Sequence, residues 1–349
     1  MSSRLTPRRL NRTLLQRQHL LARADLPAAT MVRHLVGLQA QDNLPPYLSL
    51  HARLASFDPY DVSRALEDRT LVRLLTMRGT IHLLAAEDSL TLRPWVQPLL
   101  ERQMRGSATY RPACDLDPAA FAAAVTGALR AGPVTVRALG KSLAATFPEV
   151  PAPALSGLAR VTAPLVQLPP RGQWKQPGGV VYERLDRWVG KPMGEPDPAD
   201  GVRRYLASFG PATAADVTAW SVVTGLAKLM AGMDDLVRHE DDRGRTLYDV
   251  PGGSLADEDA PAPVRLLGTY DNLWLSHAGR DRVTTPENRR RWMGANGAAA
   301  HTVFVDGMLE GLWRVVDGRI EPSLFRDLTR GERRDLDEEV ARVEALLGR

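Results

Sequence analysis

Apolar residues recur at three- and four-residue spacing along most of the chain, broken by short alternating runs, a mixture that predicts helices punctuated by small hairpins. Leu5–Ala22 reads as one helix. Asp25, Pro27 and Ala28 open a second, with Val32, Leu35 and Val36 on one face. Asp58 followed by Pro59 supplies the cap and first turn of a third. Leu71–Thr76 and Thr80–Leu84 flank a turn at Arg78-Gly79 and read as a hairpin, and Pro45-Pro46 breaks the chain between helices.

The same grammar then repeats. Gly132-Pro133-Val134-Thr135 precedes an apolar-periodic run from Val136 to Phe147, and Gly210-Pro211-Ala212-Thr213 precedes another through Trp220. In each copy Gly and Pro end one helix and Thr is placed to cap the next. After the first copy come a helix at Ala152–Thr162 and strands at Leu165–Leu168 and Val180–Leu185, with Pro169, Pro170, Arg171 and Gly172 at the turn. After the second come a helix at Ser221–Met233 and strands at Asp235–His239 and Thr246–Val250. Helices followed by a two-stranded hairpin are the order of a winged helix-turn-helix. The expected fold is therefore mainly α with small β-hairpins (α+β), in three tandem winged helix-turn-helix units: residues 1–112, 113–195 and 196–349. The last includes a β-rich extension (Val264–Leu267, Thr302–Val305, Leu309–Val316) and a terminal helix with a Thr329/Glu332 capping box.

Composition narrows the class. With 44% hydrophobic and 25% charged residues, the 349-residue chain has the balance of a folded protein. No apolar run approaches the roughly 18 residues of a membrane helix. Arg4, Arg8, Arg9, Arg12 and Arg17 interrupt any signal-peptide core, and a lone Cys114 suits a reducing cytoplasm. Residues 1–24 hold six arginines and no acid, a distribution that suits phosphate neutralisation, with Arg8 and Arg9 as candidate DNA contacts. Charge alone does not decide the matter, because 41 of the 45 basic residues are Arg, a bias that a GC-rich genome also produces.

Several chemistries drop out. Gly140-Lys141-Ser142 resembles the end of a phosphate loop, but Thr135 stands where its first glycine belongs. There are no Cys pairs and no His-Glu-x-x-His spacing, so neither a metal nor an organic cofactor is expected. What stands out is Gly37-Leu38-Gln39-Ala40-Gln41-Asp42-Asn43 directly after an apolar helical run. In an extended segment Gln39 and Gln41 share a side and can aim two amides at one point. The alternative is that both are solvated helix-end residues and that Asp42 or Asn43 caps the following helix.

Gly37-Leu38-Gln39-Ala40-Gln41-Asp42 resembles the glutamine–x–glutamine motif of the AlkZ-like family of DNA glycosylases. So do Met77-Arg78-Gly79-Thr80-Ile81-His82-Leu83, Pro170-Arg171-Gly172 with Trp174, and Tyr270-Asp271-Asn272-Leu273-Trp274-Leu275-Ser276-His277 followed by Arg280 and Arg282. The resemblance spans nearly the whole chain in order. It implies three winged helices in a C-shaped arrangement, and excision of N7-alkylated purines, including interstrand crosslinks made by DNA-alkylating antibiotics. Gln41 matches the glutamine branch, a sister branch having Asp there. It further implies Gln39 and Gln41 as catalytic; Asp42, Asn43, Arg78, Thr80 and His82 around the lesion; and Arg171, Asn272, His277, Arg280 and Arg282 on DNA. His82 and the tryptophans Trp174 and Trp274 can equally be core. The expected partner is double-stranded DNA carrying alkylated purines, met by a monomer in the cytoplasm without a membrane or an obligate protein partner. The rival reading is a winged-helix transcription regulator, although such proteins usually carry one unit and pair through a dimerisation helix.

Overall fold

The computed structural model describes residues 4–292 and 300–349. By contact the chain divides into two compact units. One comprises Met1–Pro59, Ala199–Trp220 and Thr224–Arg349; the other comprises Tyr60–Pro198 and Ser221–Val223.

In the first unit the N-terminal run is not one helix. Leu5 lies in a two-residue strand parallel to Val237–Asp241, with Leu5 opposite Asp241. Thr6 then caps a helix at Pro7–Arg17, its side chain accepting from the Arg9 N–H. A second helix occupies Ala28–His34 and a third Leu44–Arg53. The third falls where Pro45-Pro46 predicted a break. Both prolines stand in its first turn, where the N–H groups have no partner inside the helix in any case. The expected helix at Ser221–Met233 is also shorter, Leu226–Ala231, entered through Gly225 at a φ of +85°. Val237–Asp241 and Thr246–Asp249 form a hairpin. Arg265–Leu267, His301–Val305, Met308–Val316 and Arg319–Leu324 form a four-stranded antiparallel meander. The terminal helix, Arg330–Gly348, begins at the expected capping box.

The second unit joins two wings into one sheet. The hairpin Leu71–Leu75/Ile81–Ala85 lies beside Leu165–Gln167, with Arg73 opposite Gln167 and Leu74 opposite Val166. Val181–Arg184 and Val134–Thr135 continue it. Edge pairing satisfies backbone groups that a lone hairpin would leave to water. It also places strands from either side of residue 112 in one compact body. Phe121, Leu139, Leu143, Leu155, Leu158 and Tyr182 form the core beneath the second wing.

Buried ion pairs tie distant segments of the first unit together. Arg53 and Asp271 are almost wholly enclosed, joined by two parallel bonds of 2.8 and 2.7 Å. Arg53 also donates to Ser49 O and to Gln18 Oε1, and Ser49 donates to Asp271. Arg17 makes a second buried fork with Asp249, at 2.7 and 2.8 Å. Removing one partner of such a pair strands the other charge out of water. Arg53→Met is therefore expected to cost roughly 3–5 kcal/mol, read as a lower urea midpoint at unchanged slope. A loss below about 1 kcal/mol, the scale of a surface pair, would remove this fork as a structural anchor.

Candidate active site

The glutamine segment begins at a strained turn. After helix Ala28–His34, the Val36 N–H bonds to Arg33 O and the Gly37 N–H to Val32 O, a Schellman closure with Val36 in the left-handed position. Val36 has a φ of +52° and Gly37 of +92°. A β-branched residue resists that conformation, so neighbouring structure must hold it there. Asn272 does so: its side-chain amide donates to Gly37 O at 2.8 Å and to Leu35 O at 3.3 Å. Leu38–Gln39 then runs as a short strand, followed by bends into helix Leu44–Arg53.

Gln39 is enclosed, at 8% exposure, whereas Gln41 and Asp42 are exposed. Asn43 occupies the N-cap position of helix Leu44–Arg53, but its backbone is helical and its side chain makes no capping bond. Its Oδ1 is enclosed without a hydrogen-bond partner among the described residues. The simple capping role is thus not what Asn43 does. On the meander, His301 accepts the Thr269 N–H at Nδ1 (2.9 Å), so its neutral ring carries the proton on Nε2. Its ring stacks on Trp313 at 4.4 Å. Burial lowers its pKa to about 4, although the Asp42 charge favours protonation. No sequence motif marked His301; it reaches Asp42 only through the fold.

Asn272 and His277, expected on DNA, are buried instead, at 2% and 4% exposure. Asn272 spends its amide on the turn before Gln39. Asp271, one residue earlier, caps helix Asn272–Leu275 and is gripped by Arg53. Burial disfavours its charge, yet the Arg53 guanidinium and hydrogen bonds from Arg53, the Leu273 N–H and Ser49 hold its carboxyl below the usual range. His277 contacts Ser276 Oγ at 2.9 Å, and burial, reinforced by the Arg282 charge against that of Asp216, lowers its pKa to about 3. Arg280 and Arg282 are half-buried.

The second unit holds its own cluster. Arg78 has a φ of +56°, at the turn between Leu71–Leu75 and Ile81–Ala85. His82 is 1% exposed and bonded at both ring nitrogens: Nδ1 donates to Thr80 O, and Nε2 accepts from Arg78 Nη2, each at 3.0 Å. Burial and the Arg78 charge lower its pKa to about 3 against the bond to Thr80 O. His82 thus stays neutral and steadies the half-buried Arg78. Thr80 closes the same turn on Met77 O, and Arg171 donates to Gly178 O. Trp174 and Trp274 are both core, at 3% exposure.

The N-terminal arginines divide in the same way. Arg12 and Arg17 are buried in pairs with Asp306 and Asp249, and Arg23 pairs with Glu339. Arg8 is exposed and meets Asp306 at 3.2 Å, and Arg9 is half-buried. Among the described residues, no group of three His, Cys, Asp or Glu side chains is placed to hold a metal ion, and no helix is long and apolar enough to cross a membrane.

Comparison with known proteins places the fold and the family. The solved structure of the Streptomyces sahachiroi DNA glycosylase AlkZ superposes with a TM-score of 0.82 at 24% identity, covering 99% of this chain and 97% of that one. A curated relative, the interstrand DNA cross-link repair glycosylase of Streptomyces sahachiroi, is 29% identical over 355 positions, 94% of this chain and 93% of that protein. The sequence model of the AlkZ-like DNA glycosylases matches residues 32–346, from the end of the second helix through the terminal helix, and the chain belongs to that family.

Proposed function

We propose that this DNA glycosylase excises N7-alkylated purines, including bulky adducts and interstrand crosslinks made by DNA-alkylating natural products, and that Gln39 and Gln41 carry the reaction. The observation that supports this most is the glutamine segment itself, held from behind by the two bonds of Asn272. The related Streptomyces sahachiroi protein, named for cross-link repair, points to the same substrate class. Alkylation at N7 makes the purine a cationic leaving group that needs no proton from the enzyme. What remains is to hold a water and stabilise the oxocarbenium ion as it forms. Amide oxygens can orient a water and tolerate the nearby cation, although Gln is a poor general base. Asp42 adds negative charge beside the cation, and Asn43, whose Oδ1 is enclosed without a partner among the described residues, lines the lesion side of the segment. Arg78, supported by Thr80 and His82, contacts the damaged strand. Arg8, Arg9, Arg171, Arg280 and Arg282 face DNA phosphates. The enzyme acts as a monomer on cytoplasmic nucleoid DNA and uses no cofactor.

Gln39→Ala and Gln41→Ala should each lower single-turnover excision of N7-methylguanine by roughly 100-fold or more at near-normal lesion affinity. Their joint loss should fall short of the product, because residues that hold one water act as a unit. Gln41→Asp, the sister-branch residue, should keep part of the activity. Full turnover in both alanine variants would return the segment to ordinary helix-end structure.

Asn272 is a positioning residue in this scheme. Asn272→Ala should slow excision about tenfold, the worth of a hydrogen bond or two, yet cost little more in a Gln39→Ala background. Multiplying losses would mean that Asn272 acts elsewhere. The excision rate should also be flat from about pH 6 to 8. His82 and His277 titrate near 3 and His301 near 4, so all three stay neutral throughout. A rate limb with a midpoint near 6.5 would bring a histidine into the chemistry.

A further inference from the structure

Four arginines converge on one cleft in the first unit, away from the glutamine segment in sequence. The cleft is about 540 Å³ and is lined by Arg243, Arg245, Arg280, Asp281 and Arg289, with Thr284, Thr285, Gly279 and Pro286 between them. One wall is the tip of the hairpin Val237–Asp241/Thr246–Asp249. Asp241 preorganises that tip by accepting the N–H groups of Arg243 and Arg245 at 3.0 and 2.8 Å and the Arg245 guanidinium at 2.6 Å. The other wall is the loop through Arg280 and the helix Pro286–Trp292. Asp281 clips the walls together through an ion pair with Arg243 at 3.1 Å.

The charge within the cleft does not balance. Arg243 and Arg245 have carboxylate partners, Asp281 and Asp241. Neither Arg280 nor Arg289 has an ion pair among the described residues, and Arg280 Nη1 is enclosed with no acceptor. Burial, and then the charge of Arg289, push the Arg280 pKa down, against the charge of Asp216. Asp216 itself is engaged by Thr213 and the Ala278 N–H. Two like charges held close with no ion pair of their own among the described residues repel each other, and an anion between them would relieve that repulsion. Arginine forks match phosphate oxygens bidentately. A rigid hairpin tip and a helix bearing cations are also a shape suited to the rim of a nucleic-acid backbone.

We infer that this cleft seats one DNA backbone phosphate, between Arg280 and Arg289, with the Arg243/Arg245 hairpin tip alongside. The inference rests on the chain being a DNA glycosylase and extends that reading to an anchor outside the reacting centre. A phosphate contact carries no base information, so this anchor fixes where the strand lies and is blind to the lesion.

The test is binding of the full chain to undamaged and N7-methylguanine duplexes across about 50–200 mM salt, for the wild type, Arg280→Ala, Arg289→Ala and the double variant. Displacing one phosphate's counterions contributes a slope of about 0.9 in log affinity against log salt. Each single variant should lower affinity roughly 10-fold, equally for both duplexes. The double variant should flatten the slope by about one. Arg280→Lys and Arg289→Lys should recover most of the slope, which separates lost charge from lost folding, and thermal melting checks the latter directly. An unchanged slope in the double variant, or a loss confined to the damaged duplex, overturns the anchor. If the wild type binds DNA with this arginine dependence but excises no N7-alkylated base, the anchor stands and the proposed substrate fails instead.

Discussion

The Arg53–Asp271 fork joins residues 218 positions apart, and it fixes the segments on either side of it in the first unit. Two charges taken out of water are tolerable only when their mutual geometry is good and most of their other donors and acceptors are met. Ser49 and Gln18 supply bonds from one side and the Leu273 N–H from the other, while Arg53 Nε is enclosed without a partner among the described residues. That network sets the C-terminal end of helix Leu44–Arg53 against the start of helix Asn272–Leu275. Once Asp271 is fixed, Asn272 has little freedom, and its amide falls on the carbonyls of Leu35 and Gly37. A buried ion pair of doubtful net worth to stability therefore has a geometric consequence. It places the donor that holds Val36 in a conformation valine would not choose.

Local features of this arrangement were legible in the sequence, and its long-range features were not. The Thr135 cap, helix Ala152–Thr162 and the Thr329/Glu332 box follow from residues within one turn of each other and fall where expected. Pro45-Pro46 misled because proline ends a helix from inside yet suits its first turn, and the two cases differ by the position of a boundary. The motif Tyr270–His277 marked the right segment but suggested the wrong neighbour for Asn272 and His277. A polar residue between Asp271 and Leu273 can face solvent or a carbonyl, and only the fold brings Gly37 O within 2.8 Å. His301 had no local signal at all; the meander brings it within reach of the Asp42 charge.

The arginine content illustrates the same limit. In composition the six arginines before residue 25 look alike. In the fold, Arg12 and Arg17 are interior struts and Arg8 is exposed. Arg280 and Arg289 look no different from Arg291, which pairs with Glu287 one turn away. The separation comes from whether a carboxylate is within reach, which periodicity does not encode. Basic surface in this family member is therefore better judged by unpaired guanidinium groups than by counts.

Burial keeps three histidines of this fold neutral at neutral pH, and the chemistry proposed for the glutamines does not call on them as acids or bases. If the substrate is the N7-alkylated purine proposed above, a strong general acid would be redundant against a leaving group that already carries positive charge. A protonated histidine would repel the lesion in the ground state. His82 and His277 titrate near 3 and His301 near 4, each enclosed and with its neutral ring committed to a hydrogen bond. His82 accepts from Arg78, so the cation in that turn is fixed in place and is not relayed as a proton. On the proposed reading, the glutamine amides that hold a water make a site of oriented dipoles, and the neutral rings only hold other groups in place. Such a site stabilises a developing cation without having to change its own protonation state during the reaction.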